Sequence, residues 1–219
     1  MARTEGLVQK TGAGSGPRDA LVRRGRSLEY FTIGYNCLEG VLSVIAGLAA
    51  GSVSLIGFGL DSFIEVTSAT AIVWRLSRDH DSKHREAAER CSLRIVGVCF
   101  VALAAYIAFE SASSLVRQQA PEQTIFGIAI AVVSLIVMPI LARAKRKIAA
   151  DIESSALHAD ARQTDFCTYL SAILLGGLCL NAVFGIWWAD PVAALCMVPI
   201  IAREGIGALN GRQCCGCSH

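Results

Sequence analysis

Long apolar stretches, separated by short polar turns, dominate the pattern along the chain. A membrane span needs roughly 20 mostly apolar residues, and six stretches of about that length or longer occur here. The predicted spans cover residues 30–50, 53–74, 93–115, 124–142, 152–183 and 185–202. The fifth is longer than a bilayer requires, so it is expected to tilt or protrude. The pattern predicts an all-α membrane protein, built as a bundle of six transmembrane helices.

The basic residues predict how this bundle is oriented. With six spans, 18 of the 20 Lys and Arg residues fall on one side of the membrane. Positive charge is retained on the cytoplasmic side, so both termini are expected there. The resulting segments are a disordered cytoplasmic tail over residues 1–29, the membrane domain over 30–205 and a short Cys/His-rich cytoplasmic tail over 206–219.

Composition narrows the function classes. Hydrophobic residues make up 53% of the chain and charged residues 17%, against roughly 25% charged in soluble domains. This excludes a disordered protein, a disulfide scaffold and a nucleic-acid binder. Of nine cysteines, six lie in or beside the spans and three in the C-terminal tail, where thiols stay reduced. The lipid bilayer of the cell membrane is the expected environment, with no nucleic-acid partner.

Two carboxylates lie within the second span. Asp61 and Glu65 are four residues apart and therefore share one face of a helix. An ionisable group costs about 2.5–3.5 kcal/mol at the centre of a span, and two neighbouring carboxylates cannot readily both be ionised without a cation. The pair predicts a site for a metal ion or a shared proton.

The fifth span offers two candidates for a third ligand. Asp160 shares a helical face with Gln163, Thr164 and Cys167, and it lies 13 residues from Lys147. Because Asp61 lies 14 residues from Arg75, antiparallel helices would place Asp160 level with the acidic pair. This favours Asp160, with Cys167 in support.

The other candidate in that span is Asp165. It lies on the opposite face of the helix, together with His158 and Arg162. There it could instead neutralise one of these two bases. Both aspartates remain candidate ligands at this point.

The residues Gly51-Ser52-Val53-Ser54, followed by Asp61-Ser62 and Glu65, resemble the second span of the cation diffusion facilitators. This resemblance covers about residues 28–205. It implies six spans, cytoplasmic termini and exchange of a metal ion for protons. The family's fifth-span motif, His-x-x-x-Asp, departs here in either register: Asp165 can match its Asp with Ala161 in place of His, or Asp160 and Thr164 can take the two positions.

The resemblance also points to an accessory metal site in the loop between the second and third spans. His80 and His84 have the family's spacing, and four residues apart on a helix they could share a metal ion; a solvated polar loop is the alternative. The chain is expected to be a short form without the family's cytoplasmic domain, so that a homodimer would have to form through membrane helices. The tail cysteines, with His219, could bind metal, be palmitoylated or be unstructured.

The predicted function is secondary active export of a divalent metal cation in exchange for protons. The resemblance and Cys167 favour Zn²⁺ as the exported ion, whereas the oxygen-rich ligands favour Mn²⁺ or Fe²⁺. Co²⁺ is a further candidate. The ion is cargo, and no cofactor is expected. The alternative is a membrane protein that binds metal as a sensor or partner subunit without transporting it. The chain shows no Ser-His, Cys-His or zinc-protease pattern, which argues against an intramembrane enzyme.

Overall fold

The computed structural model describes residues 17–77, 82–118, 122 and 124–210, and these residues form six α-helices. All six contain stretches long and apolar enough to cross a membrane, which confirms the predicted bundle. The helices are α1 Pro17–Ala50, α2 Val53–Ser77, α3 Ser82–Arg117, α4 Ile125–Asp151, α5 Ser155–Phe184 and α6 Ala189–Leu209. Below, the end of the bundle where α2 and α4 finish is called the cytoplasmic end, following the charge distribution.

Helix α1 begins well before the first predicted span. The prediction of a disordered tail is wrong for residues 17–29, which are helical. The cause lies in the packing, because Leu21 and Val22 contact a buried apolar cluster at the cytoplasmic end. That cluster contains Ile72, Leu76, Ala149, Ile152 and Leu157. Similarly, α6 continues to Leu209, four residues into the predicted C-terminal tail.

Short connections join the helices at the opposite end. Gly51 turns the chain from α1 into α2 with a φ of +65°, a value that glycine adopts without strain. The first amide of α2, on Val53, donates to the carboxylate of Asp190 at 2.9 Å. Ser52 and Ser54 donate their hydroxyls to the same carboxylate. Asp190, in the first turn of α6, therefore satisfies donors at the start of α2.

The interior combines apolar and polar regions. An apolar core includes Phe58 of α2, Ile107 of α3, Leu174 of α5 and Met197 of α6. Polar side chains concentrate where α1, α2, α4 and α5 meet. Large apolar residues instead cover the outer surface, as at Val116, which is 84% exposed. An apolar exterior around a polar interior suits a protein surrounded by lipid.

Candidate cation-binding site

Helix α2 presents two buried carboxylates to α5. Asp61 is 5% exposed and Glu65 is 1% exposed. They lie on one face because one helical turn spans 3.6 residues. Neighbouring positions on the same face, Phe58 and Ala69, are fully buried, so the packing of α2 fixes the direction in which both carboxylates point.

Helix α5 donates hydrogen bonds to these carboxylates from a thiol and a hydroxyl. The Cys167 Sγ donates to Asp61 Oδ2 at 3.2 Å, and the Thr164 Oγ1 donates to Glu65 Oε1 at 2.7 Å. Both α5 residues are buried. Of the two fifth-span registers, this geometry corresponds to the one in which Thr164 occupies the position of the family's aspartate.

Asp160 lies one helical turn closer to the cytoplasmic end than Thr164. Its Oδ1 accepts a hydrogen bond from Ser68 Oγ at 2.8 Å, so it faces Ser68 and not Asp61. The predicted level placement is therefore displaced by about one turn. The prediction measured the depth of Asp160 in the membrane from Lys147, as if Lys147 lay in a loop at the membrane surface. Helix α4 continues to Asp151, so Lys147 lies inside a helix and does not mark that surface.

Lys145 supplies the base that Asp160 needs. Its ammonium forms an ion pair with Asp160, and it lies 3.2 Å from Glu29 Oε2 and 3.9 Å from Glu65 Oε1. The Lys145 side chain is fully buried. A buried charge is tolerated only when it is paired, so these contacts account for its position. We call Lys145, Glu29, Glu65 and Asp160 the Lys145 cluster.

The Lys145 cluster is rich in negative charge. It contains three carboxylates and a single ammonium, and Asp61 lies one turn beyond Glu65. Charges interact more strongly in a buried site than in water. The cluster therefore favours the uptake of a further cation or of protons.

Some polar atoms beside these groups are without a partner in the described part of the chain. They include Glu65 Oε2, Glu29 Oε1, Asn36 Oδ1 and Gln163 Nε2, all buried. Buried polar atoms are nearly always satisfied by protein, water or an ion. The unpartnered Glu65 oxygen is thus available to a ligand between α2 and α5.

Asp165 is kept away from this site. It accepts a bond from Arg146 Nη1 at 2.6 Å, and both side chains are partly exposed to the surroundings. Its expected neutralising partners were Arg162 or His158, so the residue that pairs with it differs from the prediction. The structure does not bring Asp165 together with Asp61 and Glu65.

A second polar layer extends from α1. Glu39 accepts from Tyr35 Oη at 2.9 Å and from Ser62 Oγ at 3.0 Å. Both carboxylate oxygens therefore have hydrogen-bond donors. Glu39 is held as an accepting group beside Asp61 rather than left open to a ligand.

Within the residues that the structure describes, no three His, Cys, Asp or Glu side chains are arranged ready to hold a metal ion. His80, the side chain of His84 and the tail residues Cys214, Cys215, Cys217 and His219 lie outside the described parts, so the sites predicted there stay predictions.

The sequence reasoning missed Lys145 and Glu29, although both carry a detectable signal. In α4 the buried positions Met138, Leu141, Lys145 and Ala149 recur every three or four residues. Lys145 therefore continues an inward-facing stripe. In α1, Glu29 precedes the buried Thr32 and Asn36 at the same spacing. Each of these helical patterns, continued beyond its apolar section, reaches one of the two residues.

Comparison with known proteins agrees with this architecture. A family model described as the cation efflux transmembrane domain matches residues 33–209. A protein of Methanocaldococcus jannaschii named an uncharacterized transporter is 26% identical over 174 residues. The alignment covers 77% of this chain and 61% of that protein, so the chain spans about three fifths of its relative. With six membrane-crossing helices and a family match over most of its length, the chain belongs to the cation efflux family and is a multi-pass integral membrane protein.

Proposed function

We propose that this protein is a transporter that exports a divalent metal cation, with Zn²⁺ as the first candidate, in exchange for protons. The observation that carries the proposal is the pair of buried carboxylates Asp61 and Glu65 on one face of α2, with Cys167 of α5 hydrogen-bonded to Asp61. Two carboxylates and a thiol are a donor set suited to a divalent ion.

Proton exchange follows from the chemistry of these donors. Carboxylates and thiols bind metal in their deprotonated forms, so protons and metal compete for the same atoms. A cation entering from the cytoplasm displaces protons from Asp61, Glu65 or Cys167. When the site opens to the other side, protons driven inward by their gradient displace the ion.

The donor atoms also bear on which metal is carried. When Asp160 is aligned with the His of the fifth-span motif of the cation diffusion facilitators, Thr164 takes the position of that family's aspartate. The oxygen donors therefore come chiefly from α2. Cys167 adds a soft ligand, which Zn²⁺ accepts more readily than Mn²⁺ does. The proposal therefore ranks Zn²⁺ above Mn²⁺ and Fe²⁺.

The experiment uses liposomes containing the purified full chain, with an imposed pH gradient and Zn²⁺, Mn²⁺, Fe²⁺ or Co²⁺ supplied in turn. We expect gradient-dependent metal flux that Asp61→Asn reduces to the level of empty liposomes. Asp165→Asn is the matched control, because it removes a carboxylate from α5 that lies outside the site, and it should transport at nearly the wild-type rate. Equal flux through Asp61→Asn and wild type would refute the proposal.

A second candidate function is metal binding without transport, and the Lys145 cluster favours it. Its ion pairs join α1, α2, α4 and α5 on the cytoplasmic side of Asp61 and Cys167, an arrangement that would hold the helices around a bound ion in one position. Metal binding by calorimetry together with no flux in the liposome assay would establish this alternative. Flux under the same conditions would exclude it.

A further inference from the structure

A groove between α5 and α6 opens on the outer surface near the cytoplasmic end. Its volume is about 580 Å³, within the range of about 300–1,000 Å³ typical of small-molecule sites. The groove is separate from the cation site, because it lies on the outward face of α5. Its lining includes Arg162, Phe166, Pro199, Arg203, Glu204 and Asn210.

Two arginines give this groove its charge. Arg162 lies two residues inside the membrane-crossing stretch Asp160–Phe184, and Arg203 lies in the last two turns of α6. Both are exposed. Glu204 contributes one carboxylate to the same lining, so the described residues that line the groove carry two guanidinium groups and one acid, a net positive charge. Long basic side chains near the end of a span extend toward the membrane interface, where lipid headgroups lie.

The groove becomes apolar farther from the cytoplasmic end. An adjoining cavity of about 290 Å³ shares Phe166, Pro199 and Arg203 with it and adds Tyr169 and Ile200. On α5, Tyr169 is nearly two turns beyond Arg162, and on α6 Ile200 is one turn before Arg203. The two cavities together form a basic head region that continues into an aromatic and aliphatic trough.

We propose that this groove binds an anionic phospholipid of the cytoplasmic leaflet. The lipid phosphate lies between Arg162 and Arg203, where planar guanidinium groups donate paired hydrogen bonds to its oxygens. One acyl chain follows Phe166, Tyr169 and Ile200 into the membrane. Basic pockets between helices on this side of the membrane suit anionic headgroups, and the charge and shape described above match that ligand at both ends.

The bound lipid would connect the bilayer to α5, the helix that carries part of the proposed cation site. The inward face of α5 carries Thr164 and Cys167, while its outward face carries Arg162 and Phe166. A lipid spanning the groove contacts both α5 and α6. It therefore stabilises one placement of α5 against α6 without touching the cation site.

The test measures lipid binding directly and needs no transport. Purified full-length protein is titrated with vesicles of fluorescent phosphatidylglycerol, and separately with phosphatidylcholine vesicles. We expect preference for phosphatidylglycerol, and a loss of affinity of about fivefold for Arg162→Gln and for Arg203→Gln, because one basic residue near an anionic surface is worth about that factor. The double variant should bind more weakly than either single variant.

Control variants keep this result interpretable. Arg146→Gln removes a basic residue near the same end of the bundle, where it pairs with Asp165, and it should bind as the wild type does. Arg162→Lys keeps the charge but cannot donate paired hydrogen bonds, so it should bind more weakly than the wild type and more tightly than Arg162→Gln; it also provides a second readout if Arg162→Gln fails to fold. Size-exclusion elution verifies that each variant is intact.

Three outcomes would overturn the lipid assignment. The first is equal binding of the two lipids by the wild-type protein. The second is competition by inorganic phosphate as effective as that by phosphatidylglycerol, which would make the occupant a free anion. The third is a dimer, detected by crosslinking, whose contact surface includes Tyr169 and Ile200 and which excludes lipid. In that case a second copy of this chain would occupy the groove.

Discussion

Lys145 occupies a setting that its charge would ordinarily avoid, and it is stabilised there by acids from three other helices. Removing one partner of a buried ion pair leaves the others unpaired, which typically costs about 3–5 kcal/mol. We therefore expect Lys145→Met to lower the free energy of unfolding by about that amount. Denaturant unfolding of the purified protein in detergent, followed by circular dichroism, measures the change.

The neighbouring basic residue is the control for this prediction. Arg146→Met also removes one positive charge from α4, but the Arg146–Asp165 pair is partly exposed and exposed pairs contribute about 0–1 kcal/mol. Adding Asp160→Asn to Lys145→Met should recover part of the loss, since it removes one unpaired carboxylate. If the two single variants are destabilised equally, Lys145 is not buried as described.

The thiol of Cys167 makes a prediction about metal preference that rests on the proposed function. Cys167→Ser keeps a small donor beside Asp61 Oδ2 but replaces soft sulfur with hard oxygen. We expect Zn²⁺ flux in liposomes to fall by a larger factor than Mn²⁺ flux. Cys179→Ser, on the same helix and away from the carboxylates, should leave the ratio unchanged. An unaltered ratio in Cys167→Ser would mean that the sulfur is not a ligand.

Helices α1 and α2 pack closely enough that glycine is required at their crossing. A Cβ atom added at Gly59 would lie 2.9 Å from the backbone oxygen of Gly40. That contact can be relieved only by separating the two helices. We expect Gly59→Ala to destabilise the protein by about 1–3 kcal/mol, as overpacking does, measured by the same unfolding assay.

Gly34 provides the comparison for this crossing. It lies in α1 as well, and a Cβ atom there would meet nothing within 4 Å. Gly34→Ala should be neutral or stabilise the protein by up to about 1 kcal/mol, because alanine is the better helix former. If both alanine variants behave alike, close packing at Gly59 does not determine the α1–α2 crossing.

The elements themselves could largely be predicted from the sequence. Each span is recognisable because hydrophobicity summed over some 20 residues is a property of the segment alone. The start of α1 could not be found in this way. Leu21 and Val22 are stabilised by contacts with α2, α4 and α5, and a local pattern rich in glycine and arginine does not reveal them.

The candidate site was predictable to a lesser degree. The pairing of Asp61 with Glu65 follows from helical spacing, and Asp160, Thr164 and Cys167 share a face for the same reason. Which residue lies opposite which depends on how far α5 is shifted along α2, a property of the packed bundle. The burial of Lys145 depends on acids far from it in sequence, and one of them, Glu29, lies in the segment that the sequence predicts to be a disordered tail.

Across the whole molecule, the Lys145 cluster joins the four helices that surround the site. Glu29 belongs to α1, Glu65 to α2, Lys145 to α4 and Asp160 to α5. The cluster lies on the cytoplasmic side of Asp61 and Cys167, because α2 runs from Asp61 through Glu65 toward that end. Under the proposed function, a cation coming from the cytoplasm would pass these ion pairs, and we expect them to separate when the site opens inward.

Cys167 reports such an opening, since its buried thiol lies behind the cluster. A membrane-impermeant maleimide is applied to the cytoplasmic face of inverted vesicles, and modification of the Cys167 peptide is followed by mass spectrometry. Glu29→Gln removes one charged partner of Lys145, an interaction worth about 1.5–3 kcal/mol, so modification should accelerate at least about tenfold. Arg146→Gln alters an exposed pair outside the cluster and should leave the rate unchanged.

Adding the maleimide to one membrane face at a time distinguishes the possible roles of the Lys145 cluster. If the four groups close the cytoplasmic end, the acceleration in Glu29→Gln appears only with reagent on that face. Acceleration from both faces would mean that the substitution loosens the whole bundle, and no acceleration from either face would mean that other residues close the path. Because alkylation requires neither a metal ion nor a proton gradient, this experiment tests the closure independently of which cation the protein carries.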